Sequence, residues 1–109
     1  MAVDEALAHR VRDHLAGTPG LTEKAMFGGL AFLLAGNMAV GIAGDELMVR
    51  LGADDGDAAL EEPHTRPFDM TGRPMRGWVL VGPQGLEGDR LGKWIDRGVA
   101  HAASLPAKR

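Results

Sequence analysis

The feature that most constrains this fold is an alternation of apolar and other residues between positions 21 and 51. Apolar side chains recur at every second position in four short runs, as they do in strands with one buried face. Three dipeptides separate the runs: Gly28-Gly29, Gly36-Asn37 and Gly44-Asp45. These residue types tolerate the positive φ angles of tight hairpins, which join neighbouring antiparallel strands. The segment therefore predicts a four-stranded antiparallel meander.

Helical patterns flank this meander. Residues 4–16 and 89–104 repeat apolar side chains at intervals of three and four, which predicts one buried stripe on each helix. A short helix is predicted for residues 54–61. Residues 62–77 contain three prolines and are predicted to be irregular, before a fifth strand at 78–81. The prediction is an α+β fold: an antiparallel β-meander sheet of about five strands, with the N-terminal and C-terminal helices packed on one face.

Length and composition predict a single domain over residues 1–109. The composition also excludes several types of functional site. Cysteine is absent, so no disulfide, thiolate zinc site or cysteine nucleophile can form. The N-terminus lacks the pattern of a secretory signal, and no apolar run approaches the ~18 residues that span a bilayer. We expect a cytoplasmic protein that does not enter a membrane.

The chemistry-bearing residues do not form a recognisable catalytic set. Ser104 is the only serine, and it lies at the end of a helix, whereas a nucleophile needs an exposed, strained turn. Tyrosine is absent, and the histidines lack the spacing of a metal site. We therefore expect no enzymatic activity, no metal and no cofactor. The net charge of −3 also disfavours binding to nucleic acid through phosphates, although a local basic patch would permit it.

Four segments resemble the N-terminal domain of the TfoX/Sxy family. They are Met26-Phe27-Gly28-Gly29, Gly36 to Ile42, Leu47 to Gly52 and Gly72 to Trp78. The resemblance implies an α+β fold and a link to transcription, because the two-domain relatives regulate natural competence together with the cyclic-AMP receptor protein. This chain looks like a stand-alone first domain without the C-terminal domain. The resemblance supplies no catalytic residues.

The candidate partner-binding residues are cationic and aromatic: Arg50, Arg66, Arg73, Arg76 and Trp78. Arginine forks bind carboxylates and phosphates, and a neighbouring aromatic ring can add stacking. We expect Arg73 and Arg76 to bind an acidic group on a partner protein. The alternative is that these arginines pair with acids of the same chain.

Two backbone features could also bind a partner. Gly28 and Gly29 are interpreted as a hairpin turn, with a close backbone approach to a ligand as the alternative. The small residues of the meander predict a smooth second face on the sheet: Ala25, Ala31, Ala39, Gly41 and Ala43.

Three functions stay open at this point. The leading hypothesis is a non-enzymatic regulatory or protein-interaction module. The second is a small DNA-binding, transcription-associated protein, and the third is a small-ligand or enzymatic role in a cleft between loop and sheet. A homodimer is possible because a short meander has open edges.

Overall fold

Three helices and a six-stranded antiparallel sheet make up the chain in a computed structural model that describes residues 3–26, 28–69 and 74–106. The elements in chain order are α1 (Glu5–Leu15), β1 (Leu21–Met26), β2 (Gly29–Leu34), β3 (Asn37–Ala43), β4 (Glu46–Arg50), α2 (Ala53–Ala59), β5 (Thr65–Asp69), β6 (Pro74–Val81) and α3 (Arg90–Ala103). A 3₁₀ turn at Pro83–Leu86 precedes α3. The strand order is β1-β2-β3-β4-β6-β5. The predicted α+β class, the meander and the two terminal helices are confirmed.

The hydrophobic core lies on one side of the sheet. Residues paired across strands point to the same face, and one such row is at most 1% exposed: Phe32, Val40, Val49 and Val79. The helices cover this row with Leu7, Val11 and Leu15 from α1 and Leu91, Trp94 and Ile95 from α3. Each fully buried side chain of this size contributes ~1.5–3 kcal/mol relative to an exposed one. Within the described residues, no helix is long and apolar enough to cross a membrane.

Gly98 brings helix α3 into close contact with the backbone of β3. A Cβ atom built there would lie 2.5 Å from the carbonyl oxygen of Ala39 and 2.8 Å from Cγ1 of Val40. The absence of a side chain at this one position therefore sets how deeply α3 sits on β3. Near its other end, Gly92 lies beside a movable group, because a Cβ there would be 2.8 Å from Cε1 of His14.

Strand β5 corrects the prediction that residues 62–77 are irregular. It runs over Thr65–Asp69 and pairs only with β6, at the edge of the sheet. Pro67 lacks a backbone N–H, but an edge strand needs hydrogen bonds on one side only. The proline that argued against a strand therefore fits an edge strand, and the sheet that was predicted with about five strands has six.

The turn between β2 and β3 is displaced by one residue from its predicted place. It uses Ala35 and Gly36, whose φ angles are 51° and 84°, so alanine takes a conformation that asparagine or glycine adopts more easily. Asn37 instead begins β3, where it is 3% exposed and its side-chain amide donates to the carbonyl of Pro106 at 2.8 Å. This hydrogen bond links the segment that follows α3 to the sheet.

The two glycines of α3 should respond oppositely to the same substitution. Gly98→Ala should lower the free energy of unfolding by about 1–3 kcal/mol, because the added methyl group meets backbone atoms that cannot move aside. Gly92→Ala should cost less or stabilise the protein, because the His14 ring can rotate and alanine favours a helix by about 1 kcal/mol over glycine. Urea unfolding of both variants measures the difference. Equal losses would contradict the contact assigned to Gly98.

A pair between Arg12 of α1 and Glu23 of β1 should make stability depend on acid pH. Two hydrogen bonds of 2.9 and 2.7 Å join the side chains, and they lower the pKa of Glu23 below its ordinary value of 4.5. A depressed carboxyl pKa stabilises the fold above the ordinary value, and this contribution is lost as the pH falls through the folded-state pKa.

Thermal unfolding of Glu23→Gln between neutral pH and about pH 3 checks this expectation. The variant should unfold at a lower temperature than the wild type at neutral pH, and the gap should close in acid. Glu61→Gln is the matched control, since Glu61 is exposed and forms no ion pair within the described part of the chain. A gap that persists in acid would mean that Glu23 acts through packing.

Candidate functional site

A row of paired residues crosses all six strands on the face opposite the helices, which we name the helix-free face. In strand order it consists of Lys24, Ala31, Gly41, Met48, Leu80 and Arg66. A cation stands at each end of the row, and the middle is apolar. Because residues alternate sides along a strand, this face is the necessary counterpart of the buried row on the helix side.

The small residues of the meander predicted a smooth surface here. Instead, methionine side chains fill the middle of the helix-free face. A Cβ at Gly41 would lie 2.6 Å from the methyl carbons of both Met38 and Met48, so these two side chains close over the glycine. Met48 is consequently only 4% exposed. Ala25, predicted for this face, is opposite Leu30 and belongs to the helix side. The middle of the row is therefore buried under neighbouring side chains of the same face, and half-buried Leu33, Met38 and Trp78 supply its accessible apolar area.

Arg50, Trp78 and Phe68 form a stacked group beside this row. Arg50 is directly opposite Trp78 in the β4–β6 register, and its guanidinium carbon lies 5.6 Å from the centre of the indole. The Phe68 ring is 5.8 Å from the Trp78 ring, tilted by 41°. The indole therefore holds the guanidinium by a cation–π contact worth ~0.5–1 kcal/mol at a partly exposed site.

Arg66 reaches the same face but is already paired. Its guanidinium makes two hydrogen bonds to the carboxylate of Glu46, at 3.2 and 2.5 Å. These hydrogen bonds raise the pKa of Arg66 above its ordinary value. A bidentate pair of this kind fixes the position of both side chains. Because Glu46 neutralises it, Arg66 adds little net positive charge to the face.

Arg76 is held by helix α2. It donates to Asp57 at 3.1 and 2.8 Å, and Asp54 lies 3.8 Å away. The hydrogen bonds from Arg76 to Asp57 are the main cause of a raised pKa of its guanidinium. Arg73 lies outside the described residues. Of the candidate residues, the structure thus brings Arg50, Arg66 and Trp78 together and places Arg76 against its own helix.

Arg50 differs from the other two arginines in its surroundings. Within the described residues, no carboxylate lies within 4.0 Å of it, whereas Arg66 and Arg76 each have one within 2.8 Å. A guanidinium presented by an aromatic pair and lacking an acid can bind a carboxylate from another molecule through parallel hydrogen bonds.

Gly28 and Gly29 have different roles. Gly28 is in the β1–β2 turn with φ of 76°, as the hairpin interpretation requires. Gly29 is the first residue of β2, and a Cβ there would overlap the carbonyl oxygen of Ile42 on β3. The close backbone approach at Gly29 is therefore to the neighbouring strand.

Two members of this face escaped the sequence analysis. Lys24 follows from the alternation of β1 and could have been found from the pattern. Phe68 lies in the segment predicted to be irregular, so no periodicity indicated where its ring would go. As for metals, no cluster of three or more ligating side chains occurs in residues 3–26, 28–69 and 74–106.

In a comparison with protein families, the model of the TfoX N-terminal domain matches residues 13–102. The chain belongs to this family. The matched region begins within α1 and ends within α3, so it includes every strand and the helix-free face of this TfoX N-terminal domain. Comparisons with curated proteins and with solved structures found no match. The resemblance carried by the four segments of the sequence is confirmed.

Proposed function

We propose that this TfoX N-terminal domain is a non-enzymatic regulatory module of the cytoplasm that binds a partner protein through its helix-free face. Family membership supports a regulatory role in general terms. The observation that carries the proposal is Arg50, a half-buried arginine whose guanidinium contacts the Trp78 indole and lacks an acid among the described residues.

The chemistry of the face defines the partner surface that would fit it. Half-buried Leu33, Met38 and Trp78 offer apolar contact, and the cations Lys24 and Arg50 stand on either side. The complementary surface has an apolar centre with carboxylates around it. Such a surface buries aromatic and methionine side chains and pairs a carboxylate with Arg50, which are features of energetically important interface contacts.

A different protein fits these features better than a second copy paired edge to edge. The edge strand β1 carries exposed Glu23 and Lys24, and the other edge strand contains Pro67. Charges and proline on edge strands oppose strand pairing between molecules. Nucleic acid fits less well, because the chain has a net charge of −3 and Arg66 is neutralised by Glu46.

Affinity capture from a cell lysate with charge-reversed variants tests the proposal. Arg50→Glu should lose a specific protein that the wild type retains after nuclease treatment, because a glutamate repels the partner's carboxylate. Arg90→Glu is the control for the charge change itself: Arg90 is exposed and lies on α3, away from the face. The Arg73→Ala, Arg76→Ala double variant tests the loop arginines in the same assay.

Binding of the purified partner then locates the interface. Amide hydrogen exchange should slow in β4 and β6, and the partner should bind Arg50→Glu at least roughly tenfold more weakly, as expected for a lost charge-assisted hydrogen bond. Capture that nuclease abolishes would favour the DNA-binding alternative. Sedimentation of the pure chain as a dimer that Arg50→Glu disrupts would make a second copy the occupant, and either result would overturn the proposal.

A further inference from the structure

A second group of cations lies on the helix side of the sheet, on the outer surface of α3. Arg90, Lys93 and Arg97 occupy positions i, i+3 and i+7 of the helix and therefore share one face. They border a cavity of about 450 Å³ between α3 and the turn that precedes β5. This volume is within the range of small-molecule sites. We name it the α3 cavity.

The charge of the α3 cavity is opposite to that of the whole chain. Its lining includes three cations and one acid, Glu62, in a protein whose net charge is −3. Lys93 is 4.0 Å from Asp89, which is outside the lining, and both side chains are more than 70% exposed, so this pair contributes little stability and Lys93 can exchange it for another anion. The lining itself carries two net positive charges. Clustered like charges repel, and an anion relieves that repulsion.

The floor of the cavity is fixed by Trp94. The indole is 6% exposed and part of the core, and the guanidinium carbon of Arg97 lies 4.2 Å from its ring centre. Arg97 is also paired with Glu62, with 3.0 Å between nitrogen and oxygen. Trp94 and Glu62 therefore hold the guanidinium of Arg97 in place, while the side chains of Lys93 and Arg90 can turn towards a ligand. Among the described residues the Arg90 guanidinium makes one hydrogen bond, 3.3 Å to the carbonyl of Gln84, which leaves its other donors available.

The opposite wall holds His64 in a strained conformation. Its φ angle is 66°, in the left-handed region that residues with a Cβ rarely adopt. Its carbonyl accepts a hydrogen bond of 2.9 Å from the N–H of Gly82, and a Cβ at Gly85 would lie 3.0 Å from the His64 Cβ. Neighbouring backbone thus holds the imidazole side chain at the cavity wall. Maintained strain of this kind is concentrated at ligand sites.

From this geometry we infer that the α3 cavity binds a small phosphate monoester. A phosphate dianion matches the two net positive charges of the lining, and its three terminal oxygens can accept hydrogen bonds from Arg90, Lys93 and Arg97. A carboxylate supplies one charge and leaves the repulsion partly uncorrected. The cavity exceeds the size of a phosphate group, and Pro63 and Trp94 provide apolar contact for an organic substituent. This site is independent of the helix-free face.

NMR titration with inorganic phosphate, phenyl phosphate and benzoate tests the inference. Phenyl phosphate should produce saturable shifts in the Trp94 indole N–H and in the amides around His64 and Gly85. Arg90→Gln with Lys93→Gln should weaken this binding roughly tenfold or more, since each lost charge-assisted hydrogen bond costs about that factor. Both side chains are exposed, so the double variant should fold. Inorganic phosphate should bind at the same residues, but more weakly.

The matched control removes the same charge from the other face. Lys24→Gln with Arg50→Gln should leave phenyl phosphate binding within about twofold, because the cavity is intact and only the long-range field changes. Equal weakening by both double variants would mean nonspecific attraction and overturn the site. Benzoate binding as tightly as phenyl phosphate would overturn the assignment to phosphate, and the absence of any saturable shift would overturn the inference as a whole.

Discussion

The close contact between Gly98 of α3 and the backbone of Ala39 is the constraint on which the rest of the architecture depends. A helix that sits this deeply on β3 covers the central strands of the sheet from one side, and α1 completes the layer by packing beside it. Every second residue of the strands is then committed to the core. The intervening residues necessarily form a continuous surface on the other side, which the described helices leave uncovered. The depth of α3 also determines which of its own residues face outwards, and these include Arg90, Lys93 and Arg97.

Strand register converts this one-sided packing into a specific chemical surface. Strand β6 pairs with β4 as well as with β5, the strand before it in the chain. Trp78 therefore lies opposite Arg50, which is distant in sequence. The edge position of β5 then brings Phe68 against the indole. A shift of one residue in the β4–β6 pairing would turn Trp78 into the core and separate the three side chains. The aromatic pair and the guanidinium are therefore a consequence of the same register that aligns Val49 with Val79.

The sequence predicted the elements whose burial pattern is regular, and it failed where a local rule depends on tertiary position. The meander and both terminal helices follow from periodicity, since their apolar residues face one core. Strand β5 did not follow, because Pro67 excludes an interior strand and only the finished sheet reveals an edge. Ala35 shows the same limit: its positive φ is imposed by the hairpin and not by its own preference. The ion pairs of Arg66 and Arg76 join residues nineteen or twenty positions apart, so they required the fold. The spacing of Arg90, Lys93 and Arg97 was visible in the sequence, but the turn that completes the α3 cavity was not.

Most described arginines outside the two candidate sites are paired with an acid, although Arg10, which donates to the carbonyls of Leu86 and Gly88, is not. Arg12, Arg66 and Arg76 each share a carboxylate of the same chain at short distance, which is the expected arrangement for an acidic protein with more acids than bases. Cations that remain without a close acid in such a protein are placed against the average field, and their position needs a local cause. For Arg50 that cause is the Trp78 indole beside it. In the α3 cavity Trp94 and Glu62 hold Arg97, and the helical spacing places Arg90 and Lys93 beside it. The two sites occupy opposite sides of the sheet and share no residue. A protein partner on one face and a phosphorylated ligand on the other would therefore bind without steric conflict, and any influence between them would have to pass through β4, β6 and the core side of α3.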